Sequence, residues 1–265
     1  LGQYEKAVDF FQQSLPILRK LKNPEGEVAV LQNLGLLFRE LKNCQGEAEV
    51  LQKSLAICQK IQNREGEAIV LKNFGLLFRK LKNREGEALI LKKLGYAYLY
   101  DWQQNEKAID FYQQSLSIYQ EIKNREEEAD VLNNLGLAYK SQEQYEKAID
   151  LYQESLVIYR ELKDSKGEAD VLNNLGLAYK SQEQYEKAID LYQESLVIYR
   201  ELKDSKGEAD VLNNLGLAYK SQEQYEKAID LYQESLVIYR ELKDSKGEAD
   251  VLNNLGLAYK SQEQY

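Results

Sequence analysis

Histidine and methionine are absent from this 265-residue chain, tryptophan occurs once, and proline and cysteine occur twice each. Without histidine there is no Ser–His or Cys–His nucleophile pair, no imidazole general base and little material for a zinc site. Cys44 and Cys58 stand at neither a CxxC nor a zinc spacing. So few thiols in a long chain fit a reducing compartment, taken here as the cytoplasm, or mere tolerance of the residue. A basic excess is also missing. The net charge is −9 and the pI about 4.9, so nothing displaces counterions from phosphates, and nucleic acid and anionic membrane are poor partners. No apolar run approaches the roughly 18 residues that a membrane helix needs. No signal peptide is visible, and a chain without methionine does not display its natural start.

What is present is repetition. VLNNLGLAYK begins at Val131, Val171, Val211 and Val251. The whole 40-residue unit ending GEAD fills 131–170, 171–210 and 211–250 without a change, and its first 15 residues return at 251–265. Leu, Ala, Glu, Lys, Gln and Tyr dominate, a composition that leans to helix. Each unit reads as two amphipathic helices. In the first type, Ala169, Leu172, Leu175, Gly176 and Tyr179 recur at three- and four-residue steps, one helical face. In the second type, Tyr185, Ala188, Ile189, Tyr192, Ser195, Leu196 and Tyr199 do the same. Ser165 with Glu168 has the spacing of a capping box for the first-type helix. The short SQEQ linker makes the two helices antiparallel neighbours. Gly176 sits mid-helix, where glycine costs about 1 kcal/mol relative to alanine. Such a glycine permits close helix approach, with Ala188 and Ser195 as small partners and Tyr179 and Tyr192 as fillers.

Leu172, Leu175, Gly176, Tyr179, Tyr185, Ala188, Tyr192 and Ser195 together resemble the signature of the tetratricopeptide repeat. Two departures are a Leu where that family often has Trp, and Arg200 where it often has Pro. The missing Pro fits a longer second helix and a 40-residue unit similar to those of kinesin light chains, spindle-orientation adaptors and many bacterial signalling proteins. The resemblance implies an all-α fold: a right-handed superhelical solenoid of antiparallel helix pairs, about 13 helices over 1–265. It implies a binding scaffold rather than an enzyme, since this fold serves many partners.

The first half is irregular. Residues 1–24 read as the second-type helix of a truncated repeat, with Tyr4, Ala7, Phe11 and Ser14 in the signature places and Pro16 as a kink. GEV or GEA then recurs every 20 residues, at Gly26, Gly46, Gly66 and Gly86, so 25–84 holds three single-helix units. Segments such as LQNLGLLFRELKNCQGEA fuse the start of a first-type helix to the tail of a second-type one. An odd number breaks the alternation, with an expected change of superhelical path around 62–86. A diverged repeat follows at 85–125, then the near-identical and identical copies at 126–265, the last cut short. There YLYDWQQNEKA is one residue longer than YKSQEQYEKA and carries the sole Trp102. Trp102 either covers apolar surface left by Asn105, which replaces the usual Tyr, or serves as a binding hot spot.

No phosphate-cradling loop, nucleophile elbow, metal-spaced ligand set or cofactor motif is found. Carboxylates such as Glu168 and Asp170 complement a helix start. The remaining candidate is a stripe on the first-type helix: Asp170, Asn173, Asn174, Leu177, Lys180 and Ser181. In the family the resemblance names, first-type helices line the concave groove, and Asn174 matches the place whose asparagine holds the backbone of an extended peptide. Asn33, Asn73, Asn134, Asn214 and Asn254 hold the same place, Lys93 interrupts the series, and Asn133, Asn173 and Asn213 stand beside it. A side-chain amide is both donor and acceptor and pairs with peptide groups of any sequence. Arg39, Arg79, Lys140, Lys180, Lys220 and Lys260 would attract an acidic ligand. The plainer alternative is that asparagine is a tolerated polar residue on a solvated helix, copied by duplication. Asn33 and Asn73, in diverged segments, weigh against it.

Three functions stay open: a scaffold gripping an extended peptide, a structural or sensor array of a larger signalling protein, and an amplified or engineered array with no specific ligand. Both ends cut the repeat, so the chain is expected to come from a longer array. The unpartnered end helices are complementary, and molecules are expected to stack head to tail.

Overall fold

The computed structural model describes residues 2–263; Leu1, which opens the first repeat fragment, and Gln264-Tyr265, which close the last, lie outside them. The described residues form 13 α-helices, one π-helical turn and no strand. They group into two compact units, Leu1–Lys123 and Asn124–Tyr265.

The first unit holds α1 (Gly2–Lys20), α2 (Pro24–Glu40), α3 (Cys44–Lys60), α4 (Arg64–Lys80), α5 (Arg84–Tyr96), a π-turn (Ala97–Asp101) and α6 (Asn105–Glu121). Its helices pack chiefly on their sequence neighbours, with side chains of α4 also reaching α2 and the π-turn. Val8, Leu31, Leu34 and Val50 form one buried cluster, and Val28, Leu51, Cys58, Val70 and Leu77 another. Here α2, α3 and α4 are equal in length, 17 residues each, and joined by one repeated turn. After α2, Lys42 takes a left-handed φ of 56°. Its N–H then bonds Arg39 O at 3.1 Å and the Asn43 N–H bonds Phe38 O at 2.8 Å, which closes the helix end as a Schellman motif. Asn43 also starts the next helix, its side chain accepting from the Gly46 N–H at 2.9 Å. Gln62–Asn63 and Lys82–Asn83 repeat the arrangement.

Across these turns an arginine in the last helical turn clips a glutamate in the first turn of the next helix: Arg19–Glu27, Arg39–Glu47 and Arg79–Glu87, at 2.6, 2.6 and 2.7 Å. Each charge sits at the helix end whose dipole favours it. Arg160–Glu168, Arg200–Glu208 and Arg240–Glu248 do the same in the second unit.

The second unit holds α7 (Arg125–Lys140), α8 (Tyr145–Leu162), α9 (Ser165–Ser181), α10 (Tyr185–Leu202), α11 (Ser205–Ser221), α12 (Tyr225–Leu242) and α13 (Ser245–Gln262). Odd-numbered helices are the first type and even-numbered ones the second. Tyr152, Tyr192 and Tyr232 are fully buried because Gly136, Gly176 and Gly216 leave room for their rings. A Cβ on Gly176 would lie 2.6 Å from Tyr192 Cε1. Ser195 does more than stay small: its hydroxyl donates to the Ala169 carbonyl at 2.8 Å, as Ser155 does to Ala129 and Ser235 to Ala209. The bond satisfies a buried hydroxyl without a water.

The capping box expected at Ser165 is corrected. Asp164 is the N-cap, its carboxylate accepting from the Lys166 and Gly167 N–H groups, and Ser165 is the first helical residue. Glu168 turns to Arg160 instead of back to the cap. Gly167 then falls where the Tyr159 ring presses on the helix; a Cβ there would meet Tyr159 Cδ1 at 2.4 Å. Glycine in that first turn is therefore a packing requirement.

The two helix types also stack differently. The backbones of α7, α9, α11 and α13 approach one another in turn more closely than those of α8, α10 and α12, which are linked by the long side chains of Arg160 to Glu194 and Arg200 to Glu234. Helices on the inside of a bend lie closer together, so the second unit bends toward its first-type helices.

Candidate functional site

That inner layer carries the asparagine stripe. Asn174 Nδ2 donates to Asn133 Oδ1, Asn214 to Asn173 and Asn254 to Asn213, each at 2.9 Å. Asn134 donates to the Asp130 carbonyl of its own helix at 2.8 Å. The amides thus form a ladder from one first-type helix to the next. Each rung uses one donor and one acceptor, and a carboxamide has more of both. The ladder fixes the side chains while leaving hydrogen-bonding capacity toward the groove.

Beside the ladder, Lys140, Lys180 and Lys220 are half-buried. Burial, and then the positive charge of Lys180, hold the Lys140 ammonium below its ordinary pKa; burial and Lys220 do the same to Lys180. The charges acting on these two groups are of like sign, which makes the stripe locally cationic in an acidic chain. Lys260, on α13, is exposed.

The opposite end of the same face is acidic but neutralised. Asp170 accepts from the Tyr199 hydroxyl and pairs with Lys166 at 3.3 Å, and Asp210 accepts from Tyr239 and pairs with Lys206 at 3.5 Å. Lys166 and Lys206 also reach Asp204 and Asp244 of the next repeat. The sequence pattern named Asp170 and Tyr199 but not their bond, because the two lie in adjacent copies of the repeat.

The matching residues of the first unit are placed otherwise. Asn33 is exposed on α2. Asn73 accepts from Arg39 Nη2 at 3.2 Å through its side chain and at 3.4 Å through its carbonyl. Arg39 and Arg79 are the arginines that clip Glu47 and Glu87, the role of Arg160 on a second-type helix rather than that of Lys140. The fused 20-residue units explain this, since their tails are second-type sequence. The structure therefore brings Asn133, Asn173, Asn174, Asn213, Asn214, Asn254, Lys140, Lys180 and Lys220 onto one face of the second unit, and joins Asn73 to Arg39 in the first.

The chain's other unexpected feature is the π-turn. The one-residue excess in YLYDWQQNEKA is absorbed there: the Trp102 N–H bonds Ala97 O at 3.2 Å, five residues back, and α6 follows a glutamine, Gln104, as α8 follows Gln144.

The profile of the tetratricopeptide repeat family matches residues 1–60, 86–161, 127–201, 167–241 and 207–265. The stretch it leaves out lies among the equal-length helices. No curated protein matches the sequence. Among solved structures, aspartyl phosphate phosphatase F from Bacillus subtilis superposes with a TM-score of 0.70 at 14% identity, over 98% of this chain and 82% of that one. A Rap protein complexed with Competence and Sporulation Factor gives 0.65 at 14% identity, over 99% and 87%. A putative kinesin light chain of Podosopora anserina, with nearly identical TPR-like repeats, gives 0.53 at 17% identity, over 87% and 98%. At these identities the likeness is one of fold. No helix among the described residues is long and apolar enough to cross a membrane. The glycine–tyrosine pairs, the stacked helix pairs and the profile agree that the chain belongs to the tetratricopeptide repeat family and is an all-α repeat scaffold.

Proposed function

We propose that the second unit is a non-enzymatic, cytoplasmic protein-interaction module that binds an extended acidic peptide along its first-type helices. The carrying observation is the coincidence on one bent face of a fixed amide ladder and a row of half-buried lysines, Lys140, Lys180 and Lys220. A peptide in extended form offers its N–H and C=O groups at regular intervals, which the amides satisfy, and its carboxylates relieve the lysines. Preorganised side chains reduce the ordering cost of binding. In keeping with this, one fold neighbour was solved as a complex with Competence and Sporulation Factor and another, Cut9–Hcn1, as a hetero-tetramer.

The test uses a labelled Glu-Ser repeat peptide, with a Lys-Ser repeat as control. The acidic peptide should bind with strong salt dependence and the basic one should not. Replacing Lys140, Lys180 and Lys220 by Gln should weaken binding about 100-fold, since each charge-assisted bond is worth roughly 1.5–3 kcal/mol before solvent screening. Equal binding of both peptides would defeat the charge argument. Replacing Asn133, Asn173 and Asn213 by Ala should weaken it while helicity stays intact; unchanged affinity would remove the ladder from the site.

A second association follows from exposed apolar side chains at the ends. Leu252, Leu257 and Tyr259 on α13 are 43%, 42% and 46% exposed, whereas the equivalent Leu212 on α11 is fully buried. On α1, Phe10 and Ile17 are exposed as well. Copies of this chain should associate head to tail, seen as a sedimentation coefficient that rises with concentration. Replacing Leu252 and Leu257 by Lys should abolish the rise, and a coefficient independent of concentration counts against the contact.

A further inference from the structure

We infer that the hollow beside the π-turn of the first unit is a separate binding site, suited to an aromatic ring that carries an anionic group. The hollow has a volume of about 370 Å³ and is lined by Glu65, Ala68, Ile69 and Lys72 of α4, by Tyr98 and Trp102, and by Gln104 and Lys107. That volume lies at the small end of the usual range for ligand pockets, about 300–1,000 Å³.

The π-turn builds its aromatic wall. One extra residue widens the helix, and the wider turn brings Tyr98 and Trp102 edge to face with centroids 4.4 Å apart. Phe111 of α6 stacks on Tyr98 at 5.2 Å and holds it from behind. Arg64 of α4 donates to the Asp101 carbonyl at 2.7 Å and pairs with its carboxylate at 3.7 Å, so the turn is tied to the far side of the hollow. A π-bulge interrupts the regular i→i−4 ladder, and such bulges are frequent where a helix serves a ligand.

The charges come from two helices and meet on one ring. Lys72 Nζ lies 5.7 Å and Lys107 Nζ 5.4 Å from the Tyr98 centroid. A cation–π contact at an exposed position is worth about 0.5–1 kcal/mol, less than the roughly 1.5–3 kcal/mol of a hydrogen bond to a charged group. An anion entering the hollow would therefore draw both ammonium groups away from the ring. Glu65 is the opposing charge at the rim, leaving the lining with one net positive charge. The exposed Ile69 and the Trp102 ring offer the flat apolar surface on which an aromatic group rests.

Trp102 is the chain's only tryptophan, so its emission, excited at wavelengths beyond tyrosine absorption, reports this hollow alone. The probes are phenyl phosphate, phenol and inorganic phosphate, titrated separately into the full chain. Phenyl phosphate should change Trp102 emission saturably, while phenol and phosphate should each need at least about 10-fold higher concentration. Lys72→Gln with Lys107→Gln should raise the Kd for phenyl phosphate about 10-fold or more and leave the circular dichroism spectrum unchanged, since both side chains are exposed. A short peptide containing phosphotyrosine tells the source. Tighter binding than phenyl phosphate points to a partner side chain, and equal binding to a free aromatic acid. The inference is overturned if phenyl phosphate gives no saturable change, if phosphate alone binds as well, or if the double variant binds unchanged. The peptide-binding face of the second unit is untouched by either result.

Discussion

Above about pH 10, the second unit should unfold cooperatively, with ionisation of its buried tyrosines and loss of helix appearing together. Burial pushes the phenols of Tyr159, Tyr192, Tyr199, Tyr232 and Tyr239 well above their ordinary range. For Tyr199 and Tyr239, the hydrogen bonds to Asp170 and Asp210 push further in the same direction. In the unfolded chain these phenols ionise near pH 10. Between that pH and the folded values the native state binds more protons than the unfolded state, so stability falls as pH rises. The contribution is fully present below pH 10. Each tyrosine changes the slope by up to about 1.4 kcal/mol per pH unit, and the five together by up to about 7. Lys140 and Lys180, held low, act in the opposite sense, while Lys166 and Lys206, raised by their aspartates, act in the same sense as the tyrosines. Against a typical total of about 5–15 kcal/mol, the unit should unfold within about two pH units. Tyr192→Phe should move the midpoint upward. It should also stabilise the unit at neutral pH, because the Tyr192 hydroxyl is buried without a hydrogen-bond partner. Ionisation of these five phenols near pH 10 with helix intact, followed ring by ring by NMR, would contradict this.

The second large effect is a sign reversal between copies of one glycine. Gly176 and Gly256 lie in the same ten-residue word. At Gly176 an added Cβ would strike the buried Tyr192 ring at 2.6 Å, whereas at Gly256 nothing lies within 4 Å. Alanine gains about 1 kcal/mol of helix propensity at either place. Gly176→Ala should nonetheless destabilise by about 1–3 kcal/mol, since a ring enclosed on all sides has nowhere to go. Gly176→Leu should cost more. Gly256→Ala should stabilise its helix by about 0.5–1 kcal/mol. Gly75 behaves like Gly256, its nearest neighbour being Ile90 Cγ2 at 3.6 Å, an ordinary contact. Denaturant melts of the three alanine variants check the ordering, and equal shifts would refute the packing role of the glycine–tyrosine pair.

Much of this was legible in the residues themselves. The helices followed from three- and four-residue periodicity, and Gly176 with Tyr192 marked the close approach, because both signals are local or repeat at a fixed spacing. The cap was misplaced by one residue because Asp164 and Ser165 are both good cap formers. The choice was made by the Tyr159 ring, which requires the glycine in the third helical position. The left-handed turn residues, such as Lys42, Lys163 and Glu183, carry no turn signature, since glycine is the usual marker of positive φ. They are set by the Schellman closure, joined at Lys42 and Lys163 by the arginine–glutamate clip across the turn.

The candidate site was legible as a stripe but not as a network. The spacing placed Asn133 and Asn174 on similar helical faces, yet their mutual bond depends on how one repeat sits on the next. Arg39 and Arg79 read like Lys140 by position in a word, while the fused units gave them a second-type tail and an ion pair. At Trp102 the extra residue was visible. That it becomes a π-turn, and that Lys72 and Lys107 converge on Tyr98 from two helices, depends on packing distant in sequence.

The most direct test of the binding assignment is a fluorescence anisotropy titration of the Glu-Ser repeat peptide against the native chain and the Lys140→Gln, Lys180→Gln, Lys220→Gln variant. Saturable binding to the native chain, weakened about 100-fold in the variant and suppressed by salt, is the expected result. No saturable binding to the native chain, or equal affinity for both proteins, would contradict it.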